Sequence, residues 1–205
     1  MAAVSLRTLS RTALVSAAAL SLAGCGINSV PTQEEAAKAK WADVQAAFQE
    51  RANLIPNLAA VAKGAAEQEK AILTGVVEAR AKATSTQINA TDLSDPAKMQ
   101  AFQDAQNKLS SSLSGFGRLL ANSEQYPELK SISNYQMLQS QLEGQENRIR
   151  ISIRDYNAAV QSYNTTIRTF PDAIGAKVFY GAKPMVPYQA VTPGAEVAPS
   201  LEGKI

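Results

Sequence analysis

One cysteine and no histidine bound the chemistry open to this 205-residue chain. Cys25 follows Leu22-Ala23-Gly24, small residues of the kind a signal peptidase groove accepts. Upstream, Arg7 and Arg11 supply a positive region, and Thr12 to Leu20 form a short apolar run. That run is too short to cross a bilayer, which takes about 20 apolar residues, and suits the apolar core of an export signal. A cysteine at the first mature position is the lipoprotein-box pattern, in which the thiol takes a diacylglycerol and the new amino terminus an acyl chain such as palmitate. The competing reading is an ordinary signal peptide with an incidental cysteine. It leaves unexplained why the only thiol stands where the pattern needs it. Lipidation of Cys25 is the expectation, and several acyl chains anchor durably where one does not.

The missing residue types exclude much else. Without histidine there is no Ser-His-Asp or Cys-His catalysis, no His-ligated zinc and no Glu-x-x-His ligand set of the di-iron bundles. No glycine-rich phosphate loop precedes a helix, and no clustered Asp pattern resembles a calcium loop. A hydrolase acting through carboxylates would need a pair in a cleft, and spacing identifies none. With no second cysteine, no internal disulfide can form. The chain is therefore expected to be no enzyme and to hold no metal or cofactor. The 20 basic and 18 acidic residues become 18 and 18 once residues 1–24, with Arg7, Arg11 and no acid, are removed. A neutral mature chain leaves no electrostatic footprint for nucleic acid.

Polar residues on apolar stripes are the remaining candidates. Arg51 lies between Phe48 and Ile55, Glu69 between Ala65 and Ile72, and Glu146 between Leu142 and Ile149. A lone buried charge is costly, so each should find a partner. Arg51 with Glu146 is one pairing; it needs the first and last helices side by side, in the same direction and at the same level. If the last helix is offset, Glu146 meets the level of Glu69 instead. Such a pair is a polar switch or ligand contact, or, as favoured here, an ion pair that sets register. Asn157 and Asn164, seven apart, are either a polar seam for a peptide or sugar or inward amides that fix register. Tyr135, Tyr156 and Tyr163 line a groove or belong to the core. Tyr126-Pro127-Glu-Leu-Lys130 lies between helices, where a loop motif is the better functional candidate.

The elements that must position these residues read as helices. Thr32-Gln-Glu-Glu35 matches a capping box. The apolar positions Trp41, Val44, Phe48, Ile55, Leu58, Ala62, Ala65, Ile72, Val76 and Ala79 recur at threes, fours and sevens, one face of a helix. Pro56 interrupts this run, removes a backbone donor and crowds the carbonyl of Ala52, which predicts a kink or break there. Residues 84–95 are a polar connection. Asp95-Pro96 is a helix start, followed by Met99, Phe102, Ala105 or Gln106, Leu109, Leu113, Phe116 and Leu120. The last helix starts near 129–131 and carries Ile132 to Phe170 before Pro171. An unbroken first helix of about 50 residues would reach about 75 Å against about 42 Å for the second, which again argues for a bend or split. The fold predicted is all-α, a long antiparallel bundle of three to four helices.

Several blocks together resemble the LemA family. They are Arg51-Ala-Asn-Leu-Ile-Pro-Asn57-Leu58, Tyr126-Pro-Glu-Leu-Lys130, Leu142 with Glu146, Arg148 and Ile149, Arg154-Asp-Tyr-Asn157, and Tyr163-Asn-Thr-Thr-Ile-Arg-Thr-Phe-Pro171. The resemblance covers about residues 34–180. It implies a helical bundle tethered to a bacterial membrane at its N-terminus and no established enzymatic activity. It also marks Asn57, Tyr126, Pro127 and Arg154, beside the polar residues above, as structural or interaction positions. Two departures stand out. Many relatives carry an N-terminal transmembrane helix where this chain has a lipobox, and relatives often have His-Glu where it reads Gln68-Glu69.

The sequence thus divides into a signal at 1–24, a lipidated tether at 25–32, a LemA-like bundle at 33–180 and a Pro-rich, extended or disordered tail at 181–205. The function expected is a non-enzymatic scaffold or protein-interaction role on the exported side of a bacterial membrane, with envelope proteins as partners. Gly26 replaces the Asp that retains lipoproteins at the inner membrane, so the outer membrane is favoured in a Gram-negative cell. The alternative is a binding module for a lipid or other apolar ligand between the helices.

Overall fold

The computed structural model describes residues 28–61, 67–121 and 133–189. Every regular element among them is helical, as the apolar spacing predicts. In chain order they are α1 (Ser29–Val61), α2 (Glu67–Ser85), a 3₁₀ turn (Ala90–Asp92), α3 (Pro96–Ala121), α4 (Ser133–Thr166), α5 (Asp172–Gly175) and a π turn (Ala176–Tyr180). The signal, Cys25, Tyr126 and Pro127 lie outside the described residues.

Helix α1 starts earlier than the capping box suggests. Thr32 is already inside it, its hydroxyl donating to the carbonyl of Asn28 at 2.7 Å. Ser29 to Thr32, assigned to the tether from sequence, are thus helical. The first-turn amides of a helix have no intrahelical acceptor, so Pro31 loses nothing there, and Val30 is fully buried. At α3 the sequence reading holds: the carboxylate of Asp95 accepts from the amides of Ala97 and Lys98 at 2.9 and 3.2 Å, with Pro96 opening the helix.

Of the kink or break expected near Pro56, the described residues show no break at Pro56 itself. Helix α1 runs through Pro56 to Val61, and the next helix begins at Glu67. Proline cannot donate to the carbonyl four residues back, and here that carbonyl belongs to Ala52. Arg80 of α2 supplies the donor instead, its Nε reaching the Ala52 oxygen at 2.7 Å. The orphaned acceptor is satisfied from outside the helix, so the helix need not end.

Among the described residues there are four long helices, α1 to α4, within the three to four expected. In the unit formed by Gln45–Ile151 with Tyr188–Ile205, Glu50 pairs with Arg148 and Arg51 with Glu146. Numbers rise along α1 as they fall along α4. The two helices are therefore antiparallel here, and the requirement that they point the same way was wrong. The core of this unit joins Ile55 of α1, Val76, Ala79 and Ala83 of α2, and Leu109 and Phe116 of α3, with Leu142 of α4 packed against it. Ile88, in the stretch read as a polar connection, is also fully buried, and its carbonyl accepts from Gln45 Nε2 at 2.9 Å.

The other unit takes the chain up to Val44 together with Ser152–Pro187. Its described part packs the start of α1 against the end of α4. Trp41 meets Tyr156 with ring centroids 5.0 Å apart, and Ser162 donates to Gln33 at 2.9 Å. Burial raises the pKa of the Tyr156 phenol above its ordinary value. α4 ends at Thr166, not at Pro171, and Phe170 is exposed. Over residues 181–189 the tail has no helix or strand and is tied to α4 by hydrogen bonds. Asn164 donates to the Met185 carbonyl at 2.8 Å and accepts from the Met185 amide at 2.9 Å. The Tyr156 hydroxyl donates to the Val186 carbonyl at 2.9 Å. Prolines 184 and 187 prevent helix, and side chains of α4 satisfy the backbone that a helix would otherwise have paired. Residues 190–205 lie outside the described residues.

If Arg80 compensates Pro56, Arg80→Met should lower unfolding free energy by about 1–3 kcal/mol. In a Pro56→Ala background, where residue 56 can donate to Ala52, urea denaturation should show a clearly smaller loss. Equal losses in both backgrounds would contradict this role for Arg80.

Candidate functional site

Of the two levels the sequence leaves open for Glu146, the structure shows the one with Arg51, and a larger centre is built around that pair. Arg51 is 1% exposed. Its Nη1 donates to Glu146 Oε1 and to Ser110 Oγ, both at 2.7 Å, and its Nη2 donates to Gln106 Oε1 at 2.9 Å. Gln106 passes the chain on, its Nε2 donating to the Ala83 carbonyl at 3.3 Å. One buried cation is thereby tied directly to α3 and α4 and, through Gln106, to α2. The Arg51 Cζ also lies 5.1 Å from the centroid of the Phe48 ring, a favourable position for a cation. Nε is buried without a hydrogen-bond partner. Glu146 keeps 46% of its side chain in solvent, so only the arginine bears the full loss of hydration.

Sequence reasoning missed two of these partners. Gln106 entered only as an alternative to Ala105 on the α3 stripe; both are buried. Ser110 is one helical turn beyond Gln106, and that i, i+4 spacing was the available signal. Tyr188 was also missed, since it lies in the tail. Its ring packs on Phe48 and Phe102, with centroids 5.9 and 6.4 Å away, and burial pushes its phenol up to about 12.

Beside this centre lies a cleft of about 310 Å³. Phe48, Ala52, Ala83 and Phe102 give it an apolar floor, and Gln45, Gln49, Thr84, Thr86, Gln87 and Gln106 give it amides and hydroxyls. No ionisable side chain lines it, and no group of three or more metal-binding side chains occurs among the described residues. Such a lining can exchange hydrogen bonds with a neutral polar partner; it holds no nucleophile paired with a base.

The other sequence candidates are dispersed. Asn57 is exposed near the end of α1. Arg154 is exposed and pairs with its neighbour Asp155 at 3.1 Å. Asn157 is half-buried. Asn164 is the clamp on Met185, a structural role.

A model of the LemA family matches residues 40–202. The chain belongs to the LemA family. Two relatives are the magnetosome proteins MamQ 1 and MamQ 2 of Paramagnetospirillum magneticum (strain ATCC 700264 / AMB-1). Each is 27% identical over 158 residues, covering 70% of this chain and 58% of the relative. This LemA chain thus spans little more than half the length of the relatives it matches. Arg51, Glu146 and Asn164 come from three of the blocks that carried the resemblance; Arg51 bonds to Glu146, and Asn164 to the backbone of Met185.

The pair predicts a coupled response. Glu146→Leu strands a buried guanidinium and should cost about 3 kcal/mol. Arg51→Leu leaves Glu146 in contact with water and Gln106 and Ser110 short of a donor. The double variant should be less destabilised than the two single losses summed, by about 1 kcal/mol or more. Strict additivity in thermal or urea unfolding would rule the interaction out.

Proposed function

We propose that this LemA chain is a lipoprotein of the bacterial envelope, held at a membrane by acyl chains on Cys25, that works by binding partner proteins and not by catalysis. The observation that carries this reading is the chain's single cysteine, standing in Leu22-Ala-Gly-Cys25 behind an export-type segment and only four residues before the first helix. A link that short holds the helices next to whatever membrane carries the lipid. No described helix is long and apolar enough to cross a membrane. Gly26 favours the outer membrane in a Gram-negative cell.

The binding half of the proposal is supported by the cleft beside Arg51. Its amides and hydroxyls match the donors and acceptors of a peptide backbone, and its Phe48 and Phe102 floor offers area for an apolar side chain. The same lining speaks against a purely apolar ligand, whose burial would leave those amides without water or partner. What MamQ proteins do at the magnetosome belongs to those longer proteins.

Mass spectrometry of the protein extracted from membranes tests the anchor. The mature N-terminal peptide should begin at Cys25 and carry a diacylglyceryl group and an amide-linked acyl chain, and Cys25→Ser should abolish both. A peptide that begins elsewhere, or an unmodified Cys25, would overturn the proposal.

A further inference from the structure

One part of the surface is strongly apolar and has no role in the site above. Between the end of α4 and the tail, Phe170 is 78% exposed, Ile174 57%, Val178 68%, Phe179 67% and Tyr180 42%. Five large apolar side chains within eleven residues are not the scattered exposure of an ordinary surface. Their neighbours Arg168, Lys177 and Lys183 are exposed and basic. The single acid of this stretch, Asp172, accepts a hydrogen bond from Ser29. The nearest acids on α1, Glu34 and Glu35, are both held by Lys38 at 2.8 Å.

The Ser29–Asp172 bond decides the occupant. Ser29 is the first residue of α1, and Cys25 lies four residues earlier, at most about 14 Å of extended chain. Asp172 lies two residues from both Phe170 and Ile174. The apolar stretch is therefore at the point where the chain leaves for its lipid. We propose that Phe170, Ile174, Val178 and Phe179 dip into the headgroup region of the bilayer that holds the Cys25 lipid. Tyr180 sits at the polar boundary, and Arg168, Lys177 and Lys183 meet anionic headgroups. Aromatic and apolar side chains with a basic rim are what interfacial membrane contacts use. The inference rests on the lipid anchor proposed above; it adds that the domain touches the membrane with a defined face instead of swinging on its tether.

The test places an environment-sensitive thiol-reactive fluorophore at Val178→Cys in the full chain. An acylated Cys25 is a thioether and does not react; the same label at the exposed Met137→Cys serves for comparison. The proteins are reconstituted in vesicles of phosphatidylethanolamine and phosphatidylglycerol. The Val178 label should shift to shorter wavelength and be quenched by doxyl-labelled phospholipid, while the Met137 label does neither. A water-like Val178 label would overturn the proposal. So would a blue shift without doxyl quenching, since it means that protein, either a second copy or residues 190–205, covers the face. The mass of the Cys25 peptide is read separately. If Cys25 proves unmodified, the anchor fails, and the label is repeated in Cys25→Ser, where quenching upholds the face and its loss rejects it.

Discussion

A guanidinium removed from water needs partners for its charge and its N–H groups, and in this protein both terminal nitrogens of Arg51 find them on neighbouring helices, while Nε stays without one. Glu146 must stand at its level on α4, Ser110 and Gln106 on α3, and Gln106 must reach the Ala83 carbonyl on α2. A shift of α1 against α4 by a turn leaves the buried charge uncompensated, which costs several kcal/mol, and a shift of α2 or α3 breaks neutral hydrogen bonds at a smaller cost. Apolar stripes alone tolerate such slips, because alanine-rich faces present similar surfaces at successive turns. The centre thus converts a generic bundle into one register, and that register sets the cleft lined by Gln45, Gln49, Gln87 and Gln106.

The helix class, the α3 N-cap and most core positions were legible because each is a local consequence of spacing or capping chemistry. Trp41, Val44, Phe48, Ile55, Met99, Leu109, Tyr156 and Val160 are buried on the faces their spacing assigns. The readings that failed depend on distant partners. Pro56 forbids a hydrogen bond locally, and only Arg80, 24 positions away in sequence, restores it. Thr32 resembled a cap because the pattern with Glu35 is present, yet burying Val30 extends the helix past it. The order at 184–188 depends on Asn164 and Tyr156 presenting donors and acceptors to a chain whose prolines mark it as irregular.

Of the function, the family was legible in the blocks around Arg51, Glu146, Asn157 and Asn164. At Arg51 the Glu146 carboxylate neutralises the cation, and the Ser110 and Gln106 partners are neutral. What such a centre does well is hold shape. Under the proposed lipid anchor, affinity for a partner is strengthened by confinement near the membrane.

The claim that this chain acts by contact at the membrane is tested most directly by photo-crosslinking in intact cells. A photoreactive amino acid is placed at Gln87, on the cleft, with Cys25 kept or changed to Ser. The account predicts a discrete adduct with an envelope protein from Gln87 that is lost with Cys25→Ser. No adduct from Gln87, or an unchanged adduct without Cys25, would contradict it.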